Sequence, residues 1–145
     1  MKKIIVTTSI YEPTLATKKF SEMEGWELVV VGDTKTPHES YKKINCTYLH
    51  PEDQEKLNKE LSDSIGWRCI QRRNMGFLYA YLNGADVMAT VDDDNIPYDD
   101  WGQNLYVGQE IDIDLWESHN GYFDPLSVTN RSDLWHRGYP IEFLD

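Results

Sequence analysis

Hydrophobic and polar positions switch repeatedly between a strand-like and a helix-like period over the first two thirds of the chain. Lys3-Ile-Ile-Val-Thr-Thr8 is a β-branched run that reads as a strand, and Glu12-Pro13-Thr14 opens a helix reaching about Met23. Trp26 to Val31 is a second strand stopped by Gly32-Asp33, and a short third strand covers Ile44 to Leu49. Pro51 starts a helix with an acidic first turn, Glu52-Asp53, an apolar stripe of Leu57, Leu61 and Ile65, and Glu52/Lys56 and Glu55/Lys59 pairs at four-residue spacing. A further helix covers about Trp67 to Asn83, with Ile70, Phe77, Leu78, Tyr81 and Leu82 as its buried face. Within it Gly76 and Ala80 permit close approach to a sheet, and Gly84 stops it. A strand at Asp86 to Val91 then runs into three aspartates.

Strands alternating with helices imply an α/β fold: a mostly parallel, Rossmann-like sheet flanked by helices on both faces, in one domain over residues 1–145. Ligands of such sheets bind outside the carboxyl ends of the strands. Those ends carry Thr7-Thr8-Ser9, Gly32-Asp33 and Asp92-Asp93-Asp94, three polar clusters predicted to converge on one edge. After Pro97 the pattern weakens, and Glu110 to Leu115 alternates like an edge strand.

Charge and composition narrow the partners. Residues 1–80 carry 12 Lys/Arg against 11 Asp/Glu, whereas residues 81–145 carry 2 against 14. An acidic half of this kind is a poor match for nucleic acid or an anionic membrane. No run approaches the roughly 18 apolar residues of a membrane span. Cys46 and Cys69 read as thiols of a reducing compartment, and with no secretory segment at the N-terminus the expected location is cytoplasmic.

The aspartates carry the chemistry. Strand alternation puts Asp92 and Asp94 on one side and Asp93 on the other. The alternative is an acidic turn capping the strand, with Asn95 and Pro97 as ordinary turn residues. Adjacent carboxylates at a strand end repel one another unless a cation lies between them. Hard oxygen ligands suit Mg²⁺ or Mn²⁺, which take one or two carboxylates together with substrate phosphates.

This layout resembles the GT-A glycosyltransferases, in which a strand ending in Asp-x-Asp follows a nucleotide pocket. Val30-Val-Gly-Asp-Thr-Lys-Thr-Pro37 and Arg72-Arg-Asn-Met-Gly-Phe-Leu-Tyr-Ala80 are similar to segments of the STELLO-type glycosyltransferases. The three aspartates, the Phe123-Asp-Pro125 segment and Arg137-Gly-Tyr-Pro140 resemble the reversibly glycosylated polypeptides, which include UDP-arabinopyranose mutases. The resemblance implies a GT-A-like domain shortened at its C-terminus and a metal-dependent transfer from a nucleotide-sugar donor, UDP-linked, to an unknown acceptor. It implies metal ligation by Asp92 and Asp94, with Asp93 reaching the ribose or a structural donor. Thr7, Thr8, Ser9 and Asp33 then face the base and ribose, and Arg72, Arg73 and Asn74 face the donor. Arg137 matches the arginine that becomes glycosylated in the mutase-like group, although the second arginine of that motif is missing here. A self-glycosylating protein, a mutase and a non-catalytic donor-binding module are the alternatives, and completion of the site by a homo-oligomer is a further option. A third metal ligand is left open between His119 and His136. The aromatic residues Trp101, Tyr106, Trp116, Tyr122, Phe123, Trp135 and Tyr139 read mostly as the core of an irregular lobe, with sugar stacking as the other option.

Overall fold

The computed structural model describes residues 1–119, 121–131 and 133–143. The chain forms two compact units, residues 1–107 and 108–145.

The first unit is built on a four-stranded sheet of order β3-β2-β1-β4, with every pairing parallel. Its strands are β1 (Lys3–Ser9), β2 (Glu27–Gly32), β3 (Thr47–Leu49) and β4 (Val87–Thr90). The β-branched run predicted at Lys3 to Thr8 becomes an inner strand, in which Ile4, Ile5 and Val6 are wholly buried. Such double burial is what a continuous apolar run signals in a parallel sheet.

Helices cover both faces, as the alternating pattern predicts. On one face α1 (Leu15–Ser21) brings Ala16 and Phe20 against Ile5, Leu28 and Val30, joined by Tyr41 and by Trp101, whose ring meets Phe20 edge-on at 5.1 Å. On the other, α2 (Pro51–Leu57), α3 (Lys59–Ile65) and α4 (Arg73–Leu82) set Leu57, Leu61, Ile65 and Phe77 around Val6, Val29 and Val31. The single helix expected after Pro51 is broken at Asn58, whose extended backbone ends α2 while its side chain caps α3 through the Leu61 amide. The ion pairs follow that break: Lys56 meets Asp53 and Lys59 meets Asp63, in place of the predicted Glu52 and Glu55 pairs.

The remaining differences have local causes. The helix expected from Trp67 begins at Arg73, after a 3₁₀ turn at Ile70–Arg72, because Gly66 and Arg68 adopt left-handed backbone. Its buried residues are Met75, Gly76 and Ala80, while Ile70, Tyr81 and Leu82 of the predicted apolar face are exposed. Asn74, expected to be partly buried on that face, is exposed as well. The strand before the aspartates is an edge strand with Met88 and Thr90 exposed. Glu110 to Leu115 forms no strand.

In the second unit, short 3₁₀ turns at Pro125–Val128 and Ile141–Phe143 are the regular elements among the described residues. Asp124 organises it, its Oδ1 accepting from the Leu126 amide at 3.1 Å and the His136 amide at 3.2 Å, with His136 Nδ1 at 3.1 Å. Tyr122 stacks on Phe143. Trp116 and Trp135, expected inside such a lobe, are more than half exposed.

Gly76 decides how closely α4 sits on the sheet. A Cβ there falls 2.4 Å from Val6 Cγ1 and 2.7 Å from Val31 Cγ2, neither of which has room to yield. Gly76→Ala is expected to destabilise the fold by about 1–3 kcal/mol through overpacking, although alanine is the better helix former. Denaturant unfolding of the two proteins checks this.

Candidate functional site

The strand ends meet at a lattice of hydroxyl groups. Ser9, the last residue of β1, donates its hydroxyl to Asp93 Oδ2 and accepts from the Tyr11 amide at 3.1 Å. Thr14, the N-cap of α1, donates to the Asp93 carbonyl, so both the side chain and the backbone of Asp93 are fixed. Thr36 donates to the Ser9 carbonyl at 2.6 Å and accepts from the Asp33 amide at 2.8 Å, tying the end of β2 to the end of β1. Tyr41 donates its hydroxyl to the Tyr11 carbonyl at 2.9 Å. Between these groups lies a cleft of about 320 Å³, lined by Ser9, Tyr11, Asp33, Lys35, Arg68 and Asp93 among others. It opens at the carboxyl edge of the sheet, where an α/β fold binds ligands.

The predicted residues are distributed unevenly around it. Thr8 and Ser9 line the cleft, and the Thr8 hydroxyl is spent on the Val31 carbonyl at 2.9 Å. Thr7 does not line it: the residue is buried on the strand face of Ile5, and its hydroxyl has no partner among the described residues. Asp33 is in the cleft wall but almost wholly buried. Its Oδ1 accepts from the Thr34 amide and hydroxyl, and its Oδ2 accepts from the Arg68 amide at 2.7 Å.

Arg72 is buried completely, caged instead of presented. It donates to Gln54 Oε1 from both Nε and Nη2, and to Ser62 and the Gly66 carbonyl from Nη1. The guanidinium lies 3.8 Å from the centre of the Trp67 ring. Gln54 in turn donates to the Gly32 and Leu49 carbonyls at 2.7 and 2.8 Å, holding the ends of β2 and β3. Burial pulls the guanidinium below its ordinary value, with the Asp33 carboxylate opposing that shift.

The aspartates form a turn. β4 ends at Thr90, and the Asn95 amide returns to the Asp92 carbonyl at 3.3 Å, so the strand alternation expected of Asp92 and Asp94 does not extend to them. Asp92 Oδ1 meets Arg73 Nη2 at 2.5 Å, while Arg73 also donates to Thr90 at 3.2 Å. Asp94 is exposed. No three His, Cys, Asp or Glu side chains are grouped to hold a metal among the described residues. Of the two carboxylates expected to hold Mg²⁺ or Mn²⁺, Asp92 is committed to Arg73 and Asp94 faces solvent. Arg137 is exposed in the second unit, where His136 is committed to Asp124.

Thr14 reads in the sequence as a helix opener and Lys35 and Thr36 only as part of the Val30 to Pro37 segment, while Gln54 and Arg68 carry no signal for this site. Arg68 carries φ +63°, a conformation costing a non-glycine residue about 1–2 kcal/mol, and nothing in the chain's local pattern announces it.

No family model matches the chain. It is 26% identical over 151 residues to the probable glycosyltransferase STELLO2 of Arabidopsis thaliana, an alignment covering 97% of this chain and 20% of that protein. STELLO1 of the same plant is also 26% identical, over 152 residues covering 97% of this chain and 19% of its own length. The chain thus spans about a fifth of the curated relatives it matches, and is distantly related to probable glycosyltransferases. Among the described residues no helix is long and apolar enough to cross a membrane.

Removing the Arg72 guanidinium while keeping its bulk tests the cage. Arg72→Met leaves Gln54 Oε1 and the Ser62 hydroxyl without their donor, and each buried orphan costs about 1–3 kcal/mol. A lower denaturation midpoint is expected, with Arg72→Lys recovering part of the loss.

Proposed function

We propose that residues 1–107 bind a nucleotide-sugar donor, UDP-linked, in the cleft at the strand ends, as the donor half of a GT-A-type glycosyl transfer. The observation that carries this reading is the meeting of Ser9, the Asp33 turn and Asp93 at one sheet edge, beside a turn of further carboxylates, in a chain related to probable glycosyltransferases. Thr8 and Ser9 offer backbone groups to the base and ribose, and Asp93, held by Ser9 and Thr14, faces the ribose. Mg²⁺ or Mn²⁺ held by Asp92 and Asp94 would supply Lewis-acid stabilisation of the departing nucleoside diphosphate. Arg73 keeps Asp92 partly neutralised and positioned when the donor is absent. Arg72 acts at a distance, through Gln54, on the strand ends that shape the cleft.

A second reading rests on Arg137, exposed and without an ion pair among the described residues. In it the chain glycosylates itself at this arginine, as the mutase-like resemblance implies. Intact-mass measurement after incubation with UDP-sugars would show an added hexose or pentose that Arg137→Lys abolishes.

Calorimetric titration of UDP with and without Mn²⁺ tests the main proposal. Mn²⁺ is expected to tighten UDP binding by about tenfold or more, which corresponds to at least one charge-assisted contact. Asp94→Asn removes that increment without lowering the melting temperature, since the residue is exposed. The absence of nucleotide binding under every metal condition contradicts the proposal.

A further inference from the structure

Two cations line the cleft beside its two carboxylates. Lys35 and Arg68 both line it, and neither enters an ion pair among the described residues. The carboxylates of the cleft are already occupied, Asp33 by three donors and Asp93 by Ser9. Beneath it the buried Arg72 adds a third positive charge whose hydrogen-bond partners are all neutral. The two wall cations are balanced in charge by Asp33 and Asp93, but among the described residues the side-chain donors of Lys35 and Arg68 are uncommitted and can be offered to an anion.

Asp33 mounts both cations. Its backbone closes the turn that carries Lys35, with the Thr36 amide on the Asp33 carbonyl at 3.0 Å. Its Oδ2 accepts the Arg68 amide at 2.7 Å and so holds that residue in left-handed backbone. Glycine would occupy this position without strain, and strain kept at a cleft is a pointer to function. What arginine adds over glycine is a guanidinium, whose planar fork matches two phosphate oxygens.

We infer that Lys35 and Arg68 form a phosphate subsite, positioned by Asp33, that holds the donor's diphosphate through the chain's own cations. The identity of that phosphate as part of a nucleotide rests on the function proposed above. Asp33 is a positioning residue in this scheme, its oxygens spent on backbone and hydroxyl donors before any ligand arrives. The subsite works alongside a metal and does not require one.

The test titrates inorganic pyrophosphate, uridine and UDP into the full chain in buffer containing a chelator, for wild type, Lys35→Gln and Arg68→Gly. Wild type is expected to bind pyrophosphate and UDP, and each substitution to weaken both by about tenfold while leaving uridine unchanged. Arg68→Gly should melt at or above the wild-type temperature because it relieves the left-handed strain, so its lost affinity is not a folding defect. Wild type that fails to bind pyrophosphate, or variants that bind it as tightly as wild type, would overturn the subsite. Uridine binding without pyrophosphate binding would do the same while leaving the nucleotide reading intact. Pyrophosphate binding that depends on Lys35 and Arg68, with UDP no tighter than pyrophosphate, would keep the subsite and sink the nucleotide reading.

Discussion

The carboxyl edge of the sheet depends on one buried guanidinium. Arg72 has no solvent and, among the described residues, no ion-paired carboxylate, yet five hydrogen-bonding groups in a fork cannot be left unmatched in a protein interior. Gln54, Ser62, the Gly66 carbonyl and the Trp67 ring are arranged around it from α2, α3 and the turn that follows them. Because Gln54 spends its amide nitrogen on the Gly32 and Leu49 carbonyls, the same cage sets where β2 and β3 end. The position of Asp33, one residue beyond β2, follows from that placement.

From Asp33 the constraint passes to the ligand-facing groups. Thr36 links the Asp33 turn to Ser9, Ser9 links β1 to Asp93, and Thr14 fixes the Asp93 backbone from the cap of α1. Three stretches far apart in sequence, Ser9 to Thr14, Asp33 to Thr36 and Asp93, are thereby held by short side chains with few rotamers, which lose little entropy when ordered. Such an edge is pre-organised for a polar ligand before one binds. Lys35 and Arg68, without an ion pair among the described residues, stand on this frame, and the Arg73–Asp92 pair stands beside it.

Much of the architecture was legible because it rests on short-range pattern. The β-branched runs, Pro51 at a helix start and Gly84 at a helix end each act through their own backbone preferences, and Gly76 stood where the helix meets the sheet. The convergence of Ser9, Asp33 and Asp93 also followed from the rule that parallel strands end together. What the chain's pattern hid was set by tertiary partners. Arginine on an amphipathic helix reads as solvated or ligand-facing, and only the cage of Gln54 and Ser62 makes Arg72 internal. The aspartates read either as the continuation of a strand or as an acidic turn capping it, and β4, an edge strand, releases them into the turn after Thr90. The left-handed backbone of Arg68 depends on Asp33, 35 residues earlier, and no local signal encodes it. Relatives at 26% identity support the relationship to glycosyltransferases without placing any of these side chains.

The central claim is that one nucleoside diphosphate occupies the cleft at the strand ends. Backbone amide NMR of the full chain, titrated with UDP in the presence of Mg²⁺, tests it directly. The shifts are predicted to cluster at Ser9 and Tyr11, at Asp33 to Lys35, at Arg68 and Cys69, and at Asp92 to Asp94. Shifts confined to α2 and α3, or to residues beyond 107, would contradict it.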